Sequence, residues 1–134
     1  ILQSDAQVMQ SLLARFARYA EDSKAHLASG GTILCEAVKT LEETTRWLHA
    51  HKENMPALLA AATPYLRLFG LVASGCWLAK GAIYAMQKIT EGETAPILKH
   101  ALTDARFFAQ NQVVHAKALA QSMQAELAPS SHFN

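Results

Sequence analysis

Six histidines, two cysteines, a glutamate pair and a lysine set among apolar residues are the groups in this chain that could do chemistry. Spacing decides what each can do. Metal sites inside helical bundles use Glu-x-x-His turned inward. The residues three before His26, His49, His51, His100, His115 and His132 are Ser23, Arg46, Leu48, Ile97, Gln112 and Pro129, and none is glutamate. His49 and His51 are two apart, so on a helix they diverge. No His-Glu-x-x-His, Cys-x-x-Cys or Cys-x-x-Cys-His occurs, so neither a metal nor a covalent haem is expected. Cys35 and Cys76 lie far apart among apolar residues. They read as two buried thiols of a reducing compartment, with a disulfide as the alternative. Glu42 and Glu43 are adjacent and diverge by about 100° on a helix, which makes a solvated face rather than a carboxylate pair. Ser74 or Cys76 as a nucleophile has no base or orienting group nearby in sequence, so each reads as a small residue at a helix contact. Lys80 reads as a long stem reaching the rim of the fold, against the alternative of a buried functional lysine. Trp47 and Trp77 read as packing residues.

The stretch PYLRLFGLVASGCWLAKGA, residues 64 to 82, holds Gly70, Gly75 and Gly81 in an apolar, helical pattern. Each glycine costs roughly 1 kcal/mol against alanine in a helix interior. No Gly-x-Gly-x-x-Gly, no Lys-Ser/Thr and no preceding strand accompany them, so they do not form a phosphate cradle. Arg67 and Lys80 bound a run of only twelve residues, short of the roughly 18 to 20 that a membrane span needs. No transmembrane segment is expected. On a helix, Gly70, Ser74, Trp77, Gly81 and Ala85 share one face, while Gly75, Ala79, Ala82 and Met86 share another. A helix apolar all round is buried. The glycines therefore predict a central helix with close neighbours, one side of which contacts another domain or a second copy. The packing or interface residues expected are Tyr65, Phe69, Gly70, Ser74, Gly75, Trp77 and Gly81. Gly70→Leu is expected to overpack, costing several kcal/mol by the rule for crowded cores, about 1–3 or more.

The elements that must position these residues follow from composition and period. A chain of 134 residues is one domain by size, here assigned to 1–128 with a polar tail at 129–134. The abundance of Ala and Leu favours helix. Twelve basic residues against eleven acidic ones give no electrostatic case for nucleic acid. No charged n-region precedes the first apolar residues and the chain opens at Ile1, so a cytoplasmic fragment or processed chain is expected.

Val8, Leu12, Phe16, Tyr19 and Leu27 predict a helix over about 4–28, capped by Ser4 and ended by Gly30-Gly31. Ile33, Leu34, Val38, Leu41 and Leu48 predict a second helix from Thr32 to about His49, with Glu42 and Arg46 paired on its outer face. A third runs over about 56–88, with Pro64 predicting a kink or break and Thr63 a cap for its second piece. ITEGETAP, residues 89 to 96, reads as a loop. Ile97, Leu98, Ala101, Leu102, Ala105, Phe108, Val113, Ala116 and Leu119 predict a fourth helix over about 94–127. Four amphipathic segments joined by short loops predict an all-α, up-down four-helix bundle.

TPYLRLFGLVASGCWLAKGA, residues 63 to 82, also resembles the C-terminal helical extension of one branch of bacterial acyl-CoA dehydrogenases, the acetyl-CoA dehydrogenase-like C-terminal domain. Pro64, Tyr65, Leu66, Leu68, Phe69, Gly70, Gly75, Trp77 and Leu78 stand where that family has its proline, aromatic, Leu-Phe-Gly and Gly-aromatic-Leu residues. Cys76 stands where the family has a glycine or similar small residue. TTRWLHAH at the end of the second helix and ARFFAQNQVVHAKALAQSM, residues 105 to 123, are similar to family helices in order and loop length. The resemblance implies a parent enzyme that is an FAD-dependent acyl-CoA dehydrogenase of fatty acid metabolism. It implies that the flavin, the catalytic glutamate and the acyl-CoA pocket belong to residues outside this chain. No catalytic, cofactor-binding or metal residue is carried over. The alternative is a free-standing bundle that binds a small apolar ligand or a partner helix.

Overall fold

The computed structural model describes residues 2–126, with side chains from 6 to 124. The polar tail, His132 and the expected helix end at Leu127 lie outside the described residues. The described residues are all-helical: α1 (Leu2–Ser23), α2 (Ser29–Ala50), α3 (Met55–Thr90), α4 (Pro96–Asn111), a 3-10 turn (Val113–His115) and α5 (Ala116–Glu126).

The core is where the apolar stripes meet. Phe16 and Ala20 of α1, Leu34, Ala37, Val38 and Leu41 of α2, and Leu68, Val72, Cys76, Ala79 and Ala82 of α3 are all buried in one cluster. Ala105 of α4, Val113 of the 3-10 turn and Ala116 and Ala120 of α5 complete it. The expected apolar positions hold best in the middle of each helix. Val8 and Ile97, near helix starts, are exposed instead, while Leu13 and Met123 are buried. α3 is central, and α2 shares that place: each touches every other element, whereas α1 touches only α2 and α3.

The helix boundaries differ from expectation for identifiable reasons. α1 begins at Leu2, so Ser4 lies within it, and it ends at Ser23, not near 28. Ser23 is buried, and its hydroxyl donates to the Ala20 carbonyl at 2.7 Å. Gly30 and Gly31 open α2 and do not close α1, and Thr32 lies inside α2 instead of capping it. A Cβ on Gly31 would come within 2.6 Å of the Lys24 Cα, so the glycine lets the two helices nearly touch at their junction. The positive φ falls on Ala28 instead, at φ 52° and ψ −132°.

α3 is one uninterrupted helix through Pro64, which corrects the expected break and the Thr63 cap. Proline in a helix interior costs about 3 kcal/mol. Tertiary contacts on both sides oppose that cost. Ala61 and Leu68 are buried, and the Tyr65 hydroxyl hydrogen-bonds Thr45 Oγ1 at 2.7 Å. The true N-cap is Asn54, whose side chain accepts from the Ala57 N–H at 3.3 Å. The far end closes on Gly92, at φ 97°, with Gly92 N–H to Ile89 O and Glu93 N–H to Lys88 O, both 3.0 Å. That pair of bonds is a Schellman motif.

By length and composition α3 would suffice to cross a membrane: among its 36 residues is an 18-residue window of mean hydropathy 1.4. This corrects the run-length reading, which stopped at each charge. In this fold its inner face is packed by the other helices.

The fourth expected helix is two. It breaks after Asn111, whose side chain donates to the Phe107 carbonyl at 2.9 Å. The β-branched pair Val113–Val114 follows, and Val113 turns into the core.

Candidate functional site

The seven residues singled out on α3 separate into three environments. Gly75 is buried, and a Cβ there would meet Val113 Cγ2 at 2.8 Å and Leu34 Cδ1 at 2.9 Å. It is a point of close helix approach, and it makes the space that Val113 fills after the break in the last segment. Ala79 and Ala82, on the same face, are fully buried.

Gly70 and Gly81 behave differently. A Cβ on either would meet nothing within 4 Å. Ser74, between them, is exposed. The expected crowding at Gly70 is therefore corrected: within this chain it faces open space. The reading of α3 as buried all round is corrected with it. Leu59 is 70% exposed, Leu66 68%, Tyr84 58% and Trp77 45%. Residues so large and apolar, lined along one helix face, form a continuous uncovered surface of the kind that marks an interaction site.

Tyr65, Phe69 and Trp77 are brought together through α1. Phe69 lies 5.9 Å from the Phe16 ring and Trp77 lies 6.0 Å from it, both edge to face. Tyr65 stacks against Phe69 at 6.3 Å and Tyr19 against Trp77 at 5.8 Å. Two cations close over the outer end. Arg15 sits 5.9 Å from the Trp77 ring, and the Lys80 ammonium is 5.6 Å from Trp77 and 5.4 Å from Tyr19. Lys80 is therefore an exposed rim residue lying on aromatic faces. The Arg15 guanidinium beside the Tyr19 hydroxyl, with help from Lys80, holds that phenol below its ordinary pKa. Periodicity placed these aromatics on the right helix, but it carried no sign of the partner cation from α1, Arg15.

A second feature was not visible in the sequence. A groove of about 780 Å³ opens between α1, α2 and Tyr65 of α3. Met9, Leu13 and Leu48 supply apolar walls, and Glu42, Arg46 and Lys52 add charge. Its size is that of a small-ligand cleft. Glu42 and Arg46 border it without forming an ion pair. Three elements build it, so no single periodicity announces it; the stretch TTRWLHAH, which supplies much of the α2 wall, was the nearest available signal.

The thiols are free. Cys76 is buried with Sγ 3.7 Å from the Phe16 carbonyl, and burial pushes its pKa up to about 12. Cys35 is half-buried with Sγ 3.8 Å from Glu21 Oε2, and burial raises its pKa as well. A raised pKa disfavours the thiolate, the nucleophilic form. Among the described residues no three His, Cys, Asp or Glu side chains converge as metal ligands.

A flavin resident in this chain would need buried donors turned toward its ring and phosphates. Among the described residues every buried side-chain N or O atom already has a partner.

No curated protein and no solved structure matches this chain. The family model described as acetyl-CoA dehydrogenase C-terminal like does match it, over residues 6–129. That span reaches into every helix and takes in all of α3, and so the chain belongs to the acetyl-CoA dehydrogenase C-terminal-like family.

Proposed function

We propose that this chain is the non-catalytic C-terminal helical domain of an FAD-dependent, cytoplasmic acyl-CoA dehydrogenase, and that it packs on the catalytic body or supports oligomer contacts. In this reading the α,β-oxidation of acyl-CoA, its flavin and its catalytic carboxylate all belong to the rest of the same polypeptide. The observation that carries it is the family match across nearly the whole chain. The uncovered apolar face of α3 supports it, since a domain laid against a larger body needs such a face. The short connections suit helices that alternate up and down in a bundle.

The test is the complete reading frame, followed by the purified full-length product. Several hundred residues with flavoenzyme signatures before Ile1, a yellow protein and bleaching of the flavin by acyl-CoA are the expected results. A frame that opens near Ile1 overturns the reading. So does residues 1–134 alone holding stoichiometric flavin.

A second reading has one observation in its favour, the groove at Tyr65. In that reading the chain is a free-standing bundle that takes a small apolar ligand or a partner helix between α1 and α2. Saturable binding of an apolar fluorescent dye, lost on Ala14→Trp at an exposed position of the groove wall, would support it.

A further inference from the structure

The protons of Thr45 and Tyr65 can be placed by counting. Thr45 Oγ1 lies 2.7 Å from the Leu41 carbonyl oxygen and 2.7 Å from the Tyr65 hydroxyl oxygen. Oxygens that close need a proton between them. The Leu41 carbonyl has none to give, and each hydroxyl has one. Thr45 therefore donates to Leu41, and Tyr65 must donate to Thr45. Among the described residues nothing donates in return to the Tyr65 oxygen. Burial raises the Tyr65 pKa, so the phenol keeps its proton.

Both side chains line the groove of about 780 Å³ between α1 and α2. Depth sorts the rest of its lining. Leu13 is buried and Met9 and Leu48 are half-buried, which makes the interior apolar. The polar groups at that depth are Glu42, Thr45 and Tyr65, all half-buried. A carboxylate can only accept. The Thr45 proton is spent on Leu41 and the Tyr65 proton on Thr45. These three groups thus present acceptors to the groove and no free proton. The charged donors, Arg46 and Lys52, are exposed at the rim, where water satisfies them.

An occupant must match both parts. Its body is apolar, to cover Met9, Leu13 and Leu48. An acceptor-only group, such as a ketone or an ether, would set lone pairs against lone pairs at Tyr65. It would also displace the water that served the phenol oxygen, and an acceptor left without a partner is costly. A hydroxyl or an amide N–H supplies the missing proton. An ammonium supplies one too, but it would meet the two cations Arg46 and Lys52 for the one carboxylate of Glu42.

We propose that the groove at Tyr65 binds an uncharged, apolar molecule carrying a hydroxyl or amide N–H donor, and that Thr45 sets this preference by turning the Tyr65 proton away from the ligand. Thr45 is a positioning residue that acts through Tyr65. The proposal rests on the second reading above for the groove, and it holds whether or not the domain stands alone.

The test uses the full-length polypeptide. Binding of an apolar fluorescent dye that is lost on Ala14→Trp, an exposed position of the groove wall, defines the site. Cyclooctanol and cyclooctanone, one carbon skeleton with and without the donor, are the competitors. Cyclooctanol is expected to displace the dye at about fivefold lower concentration, the factor for one net hydrogen bond. Thr45→Val frees the Tyr65 proton to point at the ligand. The ketone then gains a donor, and the ratio is expected to fall below about twofold. Thr45→Ser keeps the hydroxyl and is expected to retain the wild-type ratio. Circular dichroism melts check that each variant is folded. Equal displacement by the two competitors in the wild type overturns the proposal by itself, with no variant needed. A folded Thr45→Val protein with the wild-type ratio overturns it too. Dye binding that Ala14→Trp abolishes, but with no preference for the alcohol, sinks the donor selection and leaves the groove a ligand site. Absence of any dye binding sensitive to Ala14→Trp sinks the groove reading and the proposal with it.

Discussion

The Arg106 guanidinium on α4 donates two hydrogen bonds to one acceptor, the His26 carbonyl oxygen, at 3.0 Å from Nε and 2.7 Å from Nη2. The contact joins residues 80 apart in sequence and clamps the turn between α1 and α2. Gln110 adds a bond from its Nε2 to Ser29 Oγ at 3.1 Å. Gly30 fits beneath Ala109, where a Cβ would stand 3.1 Å from the Ala109 Cβ. The α1–α2 turn is thus fastened by α4, an element that α1 itself does not touch.

Arg106→Ala is expected to lower stability by about 1 kcal/mol, below the usual range for a charged donor because the guanidinium is exposed. Arg106→Lys recovers only part of this, since an ammonium lacks the fork. Urea denaturation of the three proteins measures it. Equal midpoints would mean that the clamp contributes nothing.

At the same turn, Ala28 holds a backbone conformation that favours glycine, at φ 52°. Relief of that strain, offset in part by greater freedom of the unfolded chain, should make Ala28→Gly stabilising by about 0.5–1 kcal/mol. Gly92→Ala should act the other way by about 1 kcal/mol, because Gly92 sits at φ 97° in the α3 cap. Thermal melts of both variants would show opposite shifts in Tm. Shifts of the same sign would contradict the backbone assignment at one of the two turns.

Gly70 and Gly75 lie five residues apart on one helix and should respond oppositely to a larger side chain. Gly75→Leu drives a side chain into Val113 and Leu34 and should cost about 3 kcal/mol or more, beyond the usual overpacking range of 1–3. Gly70→Leu in residues 1–134 meets open space and gains helix propensity, so stability should hold or rise by up to about 1 kcal/mol. Circular dichroism melts compare them directly. Equal losses at both sites would put Gly70 against a neighbour.

Cys76 links stability to alkaline pH. Its folded pKa, raised by burial to about 12, lies above the ordinary thiol value of 9.0. The native state therefore keeps a proton that the unfolded state has already lost. The stabilisation is fully present below about pH 9 and falls as pH rises toward 12, with a slope approaching 1.4 kcal/mol per pH unit. Cys76→Ala removes this dependence. The stability gap between wild type and Cys76→Ala should narrow from pH 8 to pH 10.5, which denaturant titrations at the two pH values would follow. A constant gap would mean that the thiol is not buried as described.

Much of the fold was legible because local rules and long-range packing agree over most of the chain. The middle of α2, with Leu34, Val38 and Leu41 on one stripe, can only be an inward helix face. Pro96 starts α4, and the loop containing Gly92 ends α3, as proline at N1 and glycine after a helix predict. Where local and tertiary terms compete, the sequence was a poorer guide. Pro64 alone argues for a break, but Ala61 and Leu68 are buried on either side of it and the helix continues. A regular stripe through Ala105, Phe108 and Val113 argues for one long helix, but Val113 gains more by turning toward the space above Gly75.

By itself, then, the sequence determined the helical class, the family and the small-residue character of α3, because composition, period and residue type are local quantities. It could not determine which face of α3 looks inward. The apolar residues of α3 are spread around its whole circumference, so no amphipathic direction is written along it. Only the tertiary structure decided that Gly75, Ala79 and Ala82 meet the other helices while Gly70 and Gly81 remain open. The physical reason is competition for a limited number of neighbours. α1 takes the side of α3 that carries Phe69 and Trp77, and Phe108 and Val113 come in over Gly75. The remaining face, from Leu66 to Tyr84, has no neighbour left within the described residues.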